Sequence, residues 1–157
     1  MADDDERALE LEDSKTYDNL KQAFAAGSQA ASRCGYFAAR ADQEGHLEVS
    51  DVFRAVSKSK SAHAQGHLDF LREVADPQTG TPIGASEQNL RSAIVRATYE
   101  YETLFPAFAR TAREEGFDVV GTWFETLAEA GRNHVVHLQR ALERLERSYA
   151  ENSDSGL

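Results

Sequence analysis

The chain has 157 residues, with 17 Lys and Arg against 27 Asp and Glu and a net charge of -10. That length gives one domain able to bury a core without disulfides, and Cys34, the only cysteine, rules out an internal disulfide, a Cys-x-x-Cys redox pair and a cysteine-built metal knuckle. The acidic balance disfavours nucleic acid and anionic membranes as partners, and no apolar run reaches the roughly 20 residues that span a bilayer.

Residues 1–13, "MADDDERALELED", are acidic and aperiodic, and are expected to form a flexible N-terminus. A secretory signal would be basic and then apolar there, so a cytoplasmic protein is expected. The domain is expected over 14–149. Helical periodicity runs through its first half, interrupted once at Glu44-Gly45, and through its second half, interrupted once at Glu115-Gly116. A glycine at each stop suits the left-handed residue that ends a helix. Between the halves lies "DPQTGTPIGAS" (76–86), with two of the three prolines and two glycines, through which no element can run. Ser86 is the expected N-cap of the third helix, and Pro106 is expected to kink that helix. Residues 150–157 are polar and read as a flexible C-terminus. The prediction is all-α: two helical hairpins joined by a long crossover loop.

The halves are copies. A shift of 71 residues places Phe37 on Phe108, Ala41 on Ala112, Glu44-Gly45 on Glu115-Gly116, Val49 on Val120, Phe53 on Phe124 and His63 on His134. Earlier in the chain the shift is 70, with Asn19-Leu20 on Asn89-Leu90. The one-residue slip falls before Phe37 and Phe108, close to Pro106. Two copied hairpins imply a four-helix bundle with a pseudo-twofold axis.

Steps of three and four define the stripe expected to face inward. In the fourth helix it runs Phe117, Val120, Phe124, Leu127, Gly131, His134, Leu138; in the second, His46, Val49, Phe53, Val56, Lys60, His63, His67, Phe70. The first helix gives Leu20, Phe24, Gly27, Ala31, Cys34, Ala38, Ala41, and the third Leu90, Ile94, Ala97, Tyr101, Leu104, Phe108, with Glu100 beside Tyr101. The middle layer is Gly27, Lys60, Ala97 and Gly131. Glycine inside a helix costs about 1 kcal/mol against alanine, so packing alone does not select that layer.

At this layer the sequence resembles the rubrerythrin branch of the ferritin-like family. The likeness spans roughly Ser14 to Glu146 and is carried by "SKTYDNLKQAFAAGSQA" (14–30), "HAQGHLDFL" (63–71), "NLRSAI" (89–94), "YEYETLFPAFARTAREEGF" (99–117) and "WFETLAEA" (123–130). The resemblance implies a ferritin-like four-helix bundle, often dimeric, that holds two irons and reduces peroxides. The metal pattern it implies is a glutamate from each of two helices and a Glu-x-x-His from each of the others. This chain departs from that pattern. Gly27 stands for the first glutamate, Lys60-Ser61-Ala62-His63 and Gly131-Arg132-Asn133-His134 for the two motifs, and Ala97 for the third-helix carboxylate. Glu100 and both histidines remain.

One carboxylate cannot neutralise two irons in a core. The expected protein is therefore a family member with a degenerate two-iron site that binds a ligand or protein partner, with a homodimer the expected assembly. Lys60 is expected to occupy part of the vacated volume and pair with Glu100. Three other readings stand beside it. His63, His134 and Glu100 suit one Fe, Zn or Cu ion in a mononuclear oxidoreductase. A residual peroxidase of the oxidative-stress type keeps the inherited activity. A carrier would hold a small molecule or cofactor in a central cavity lined by Gly27, Lys60, Ala97, Gly131, Cys34, Tyr99 and Tyr101.

Overall fold

The computed structural model describes residues 10–154. Residues 1–9 and 155–157, which hold most of the expected N-terminal segment and the end of the C-terminal one, lie outside the described residues. The helices are α1 (Lys15–Gln43), α2 (Leu47–Leu71), α3 (Ser86–Tyr99), α4 (Phe105–Glu114) and α5 (Asp118–Asp154), with a π-helical turn over Glu100–Leu104 between α3 and α4. There is no strand among the described residues, and none of their helices is long and apolar enough to cross a membrane. The chain divides after Pro77 into two units, each a helical hairpin.

In the first hairpin α1 packs along α2. Ser14 caps α1, its hydroxyl accepting from the Tyr17 N–H at 3.1 Å. The helix stops at the expected place. Gly45 has φ 81°, its N–H donates to the Asp42 carbonyl at 3.0 Å, and His46 N–H reaches back to the Ala41 carbonyl at 2.8 Å. In the second hairpin α5 packs against α3, the π turn and α4. Its stop repeats the first bond for bond: Gly116 at φ 86°, Gly116 to Arg113 at 3.0 Å, Phe117 to Ala112 at 2.7 Å. Only glycine takes such a φ without strain, which is why the two Glu-Gly steps mark both turns.

The N-cap of α3 is Ala85, not Ser86, which is the first residue of the helix. Ala85 has no side-chain acceptor, so the end is held from inside. Gln88 Oε1 accepts from the Ala85 N–H at 3.1 Å and Asn89 Oδ1 from the Gly84 N–H at 2.8 Å. The connection is pinned to α3 by hydroxyls, Thr79 to Thr81 at 2.8 Å and Thr79 to buried Ser92 at 2.7 Å.

Just before Pro106, where a kink was the expectation, the third helix leaves α geometry for one π turn over Glu100–Leu104. A π turn bonds i to i+5 and holds one extra residue; here Phe105 N–H reaches the Glu100 carbonyl. Pro106, with no N–H of its own, sits in the first turn of the next α-helical stretch, just after Phe105. The extra residue is the slip between shifts of 70 and 71. The copied halves stay in register because the π turn absorbs it.

Within each hairpin the seam between helices is lined by small residues. Ala38, Ala41, Ser50, Ala64 and Leu71 are buried in the first, and Ala109, Ala112, Gly121, Gly131 and Val135 in the second. Ala38, Ala41, Ser50 and Ala64 map by the 71-residue shift onto Ala109, Ala112, Gly121 and Val135. The stripe reading expected larger residues inside. The seam takes in Ala38, Ala41 and Gly131 of that stripe, while other members of it are exposed, Phe70 and Phe117 each by 59%. Ser50, fully buried, was not on the expected stripe at all; its hydroxyl donates to the Ala38 carbonyl at 3.0 Å.

Candidate functional site

Gly27 lies mid-way along α1, opposite the Lys60–Ala64 turn of α2. A β-carbon there would stand 3.4 Å from Ala64 Cβ and 3.6 Å from the Lys60 carbonyl oxygen. The first-hairpin members Gly27 and Lys60 thus share one helix crossing, with backbone against backbone. The Lys60 and His63 side chains are exposed, Cys34 is half-buried, and His63 Nε2 lies 3.5 Å from the Ser59 hydroxyl one turn earlier.

The second hairpin repeats the arrangement more tightly. Gly131 of α5 is buried, and a β-carbon on it would come within 3.1 Å of Tyr101 Cβ and 3.9 Å of the Ala97 carbonyl. Ala97, Tyr101 and Gly131 are therefore brought together at one crossing, where the π turn presents Tyr101. His134 lies exposed on α5, one turn beyond Gly131.

Glu100 is half-buried and already has a partner. Arg96 Nε, one helical turn back, lies 2.7 Å from its Oε1, and the Arg96 guanidinium also sits 5.8 Å from the centre of the Tyr99 ring. The Arg96–Glu100 spacing of four is readable in the sequence as a helix-face ion pair. Tyr101 donates its hydroxyl to Glu102 Oε1 at 2.8 Å, and that bond raises the phenol's pKa above its ordinary value. Arg132 lies 5.7 Å from the centre of the same ring. Nothing in the sequence marks Arg132 for this contact, because it comes from a different helix.

Among the described residues no group of three or more His, Cys, Asp and Glu is placed so that it could hold a metal ion. What the two crossings provide is close helix contact at the glycines, with cations and aromatic rings around Glu100 and Tyr101.

A protein-family model described as Rubrerythrin matches residues 18–142. Rubrerythrin-1 of Clostridium acetobutylicum is 30% identical over 152 residues, covering 92% of this chain and 78% of that protein. The rubrerythrin of Porphyromonas gingivalis is 35% identical over 128 residues, 79% of this chain and 64% of the relative. That of Nitratidesulfovibrio vulgaris is 32% identical over 128 residues, 79% and 67%.

Proposed function

Because the chain belongs to the rubrerythrin family and has its all-α, ferritin-like helical fold, we propose that it is a member whose two-iron site has been dismantled. In this reading it works in the cytoplasm as a ligand- or partner-binding protein, assembled as a homodimer. The observation that carries the reading is the donor set. Gly27, Ala97 and Gly131 supply no ligand, Lys60 brings a positive charge, and the one remaining carboxylate, Glu100, is engaged by Arg96. Two irons bring about four positive charges and need hard carboxylate oxygens to offset them. These residues do not fit such a centre. The glycine crossings add support, since part of the space that glutamates would fill is taken up by helix contact.

A second reading, one Fe, Zn or Cu ion on His63, His134 and Glu100, requires Glu100 to leave Arg96. One experiment separates the readings: elemental analysis and a visible spectrum of untagged protein, as purified and after chelation and re-addition of ferrous iron. The expected result is no stoichiometric metal and no visible band. One ion per chain would favour the mononuclear reading, and a chromophore without metal would favour a carrier. Two irons per chain would overturn the proposal and restore the peroxidase reading. Light scattering on the same sample tests the dimer.

A further inference from the structure

The two hairpins repeat one another in one aromatic pair and oppose one another in a polar contact. The Phe37 and Phe53 rings lie 5.4 Å apart with planes at 60°; their copies, Phe108 and Phe124, lie 5.3 Å apart at 61°. This shared ring pair does not by itself tell one second helix from the other, although Phe124 also stacks on Phe105 at 6.2 Å, where the first hairpin has Cys34.

Beside each ring pair lies a cross-helix ion pair. In the first hairpin the acid, Asp42, is on α1 and the base, Arg54, on α2. In the second the base, Arg113, is on α4 and the acid, Glu125, on α5, joined through Nε–Oε1 at 3.0 Å and Nη2–Oε2 at 2.7 Å. The 71-residue shift maps Asp42 onto Arg113 and Arg54 onto Glu125, so the charges are exchanged between the copies. Shape follows charge. A β-carbon on Gly121 of α5 would stand 2.9 Å from Arg113 Cγ, so the arginine stem needs glycine beneath it. The copy of Gly121 on α2 is Ser50, which has that β-carbon and is fully buried.

We propose that the triplets Asp42, Ser50, Arg54 and Arg113, Gly121, Glu125 form a pairing code by which each first helix accepts its own second helix and rejects the other. With α1 against α5, Asp42 would face Glu125. With α4 against α2, Arg113 would face Arg54 and its stem would strike Ser50. The three-residue turns already favour the right partner within an isolated chain; the code acts where two copies of this chain meet while folding. A single exposed ion pair contributes little. Here two attractions are lost and two repulsions gained, which together favour the proper pairing on the order of tenfold.

The test uses the full chain with Arg113→Asp and Glu125→Arg, which gives both hairpins the same polarity. Protein is unfolded in urea, refolded by dilution over a range of concentrations, and sized by chromatography with light scattering. Misassembled or aggregated material should rise about tenfold over the parent chain, and more steeply as concentration rises. A second variant adds Gly121→Ser, Asp42→Arg, Ser50→Gly and Arg54→Glu, exchanging the triplets whole, and should return the parent distribution. Refolding of the first variant like the parent at every concentration would overturn the proposal. Should the first variant not fold, the second decides: recovery supports the code, and continued failure overturns it.

Discussion

Gly27 and Gly131 occupy equivalent layers of the two hairpins, yet alanine should stabilise only at the first. In a helix interior Gly→Ala gains about 0.8–1 kcal/mol from propensity alone. At Gly27 the new β-carbon meets Ala64 Cβ at 3.4 Å, an ordinary van der Waals distance, so most of that gain should survive. At Gly131 it meets Tyr101 Cβ at 3.1 Å. That atom is one bond from the backbone, and Tyr101 is itself tied to Glu102, so relief requires the π turn or α5 to shift. Overpacking of this kind costs about 1–3 kcal/mol. The net expectation is about 1 kcal/mol of stabilisation for Gly27→Ala and about 0–2 kcal/mol of destabilisation for Gly131→Ala. In urea titrations followed by far-ultraviolet circular dichroism, the midpoint should move up for the first and down or nowhere for the second, at unchanged slope. Equal stabilisation by both would refute the claim that Gly131 is kept for the closeness of its crossing.

Gly131→Glu, which puts back the glutamate of the family pattern, should lower the midpoint further than Gly131→Ala and bind no iron, as measured by elemental analysis. Leu71 is fully buried, so Leu71→Ala should cost about 2–5 kcal/mol in the same titration. Arg113 holds the Glu125 carboxyl below its ordinary range, first through their hydrogen bond. A depressed acid contributes stability that is present above its unfolded pKa and is lost as pH falls through the folded one. The urea midpoint of the parent should therefore drop more on acidification than that of Glu125→Gln; parallel pH profiles would count against this. Tyr101 is the converse case, an acid raised chiefly by its bond to Glu102. Its contribution is present below the unfolded pKa and lost as pH rises through the folded one. Ultraviolet titration of Glu102→Gln should show tyrosinate forming at lower pH than in the parent.

Much of this protein was decided by local chemistry and could be read directly. The Glu-Gly stops are legible because a left-handed residue at a helix end strongly favours glycine. The duplication is legible because copied hairpins keep their ring and alanine positions. The family is legible from long motifs, and that Gly27, Lys60, Ala97 and Gly131 carry no carboxylate is a matter of residue identity. Other features needed the fold. A one-residue slip in a repeat does not say what the backbone does with the extra residue; the π turn at Glu100–Leu104 is one of several ways to absorb it. The inward stripe, drawn from period alone, missed Ser50 and Ala64, because periodicity finds a helix's apolar side and not the narrower line along which a particular neighbour approaches. The bond from Arg96 to Glu100, four residues apart on one helix face, is readable from spacing but needed the side-chain geometry to be established. The reversed ion pairs were present in the letters all along. Only the cross-helix distances turned Asp42, Arg54, Arg113 and Glu125 from surface charges into partners, since contact between helices depends on their crossing geometry and not on separation along the chain.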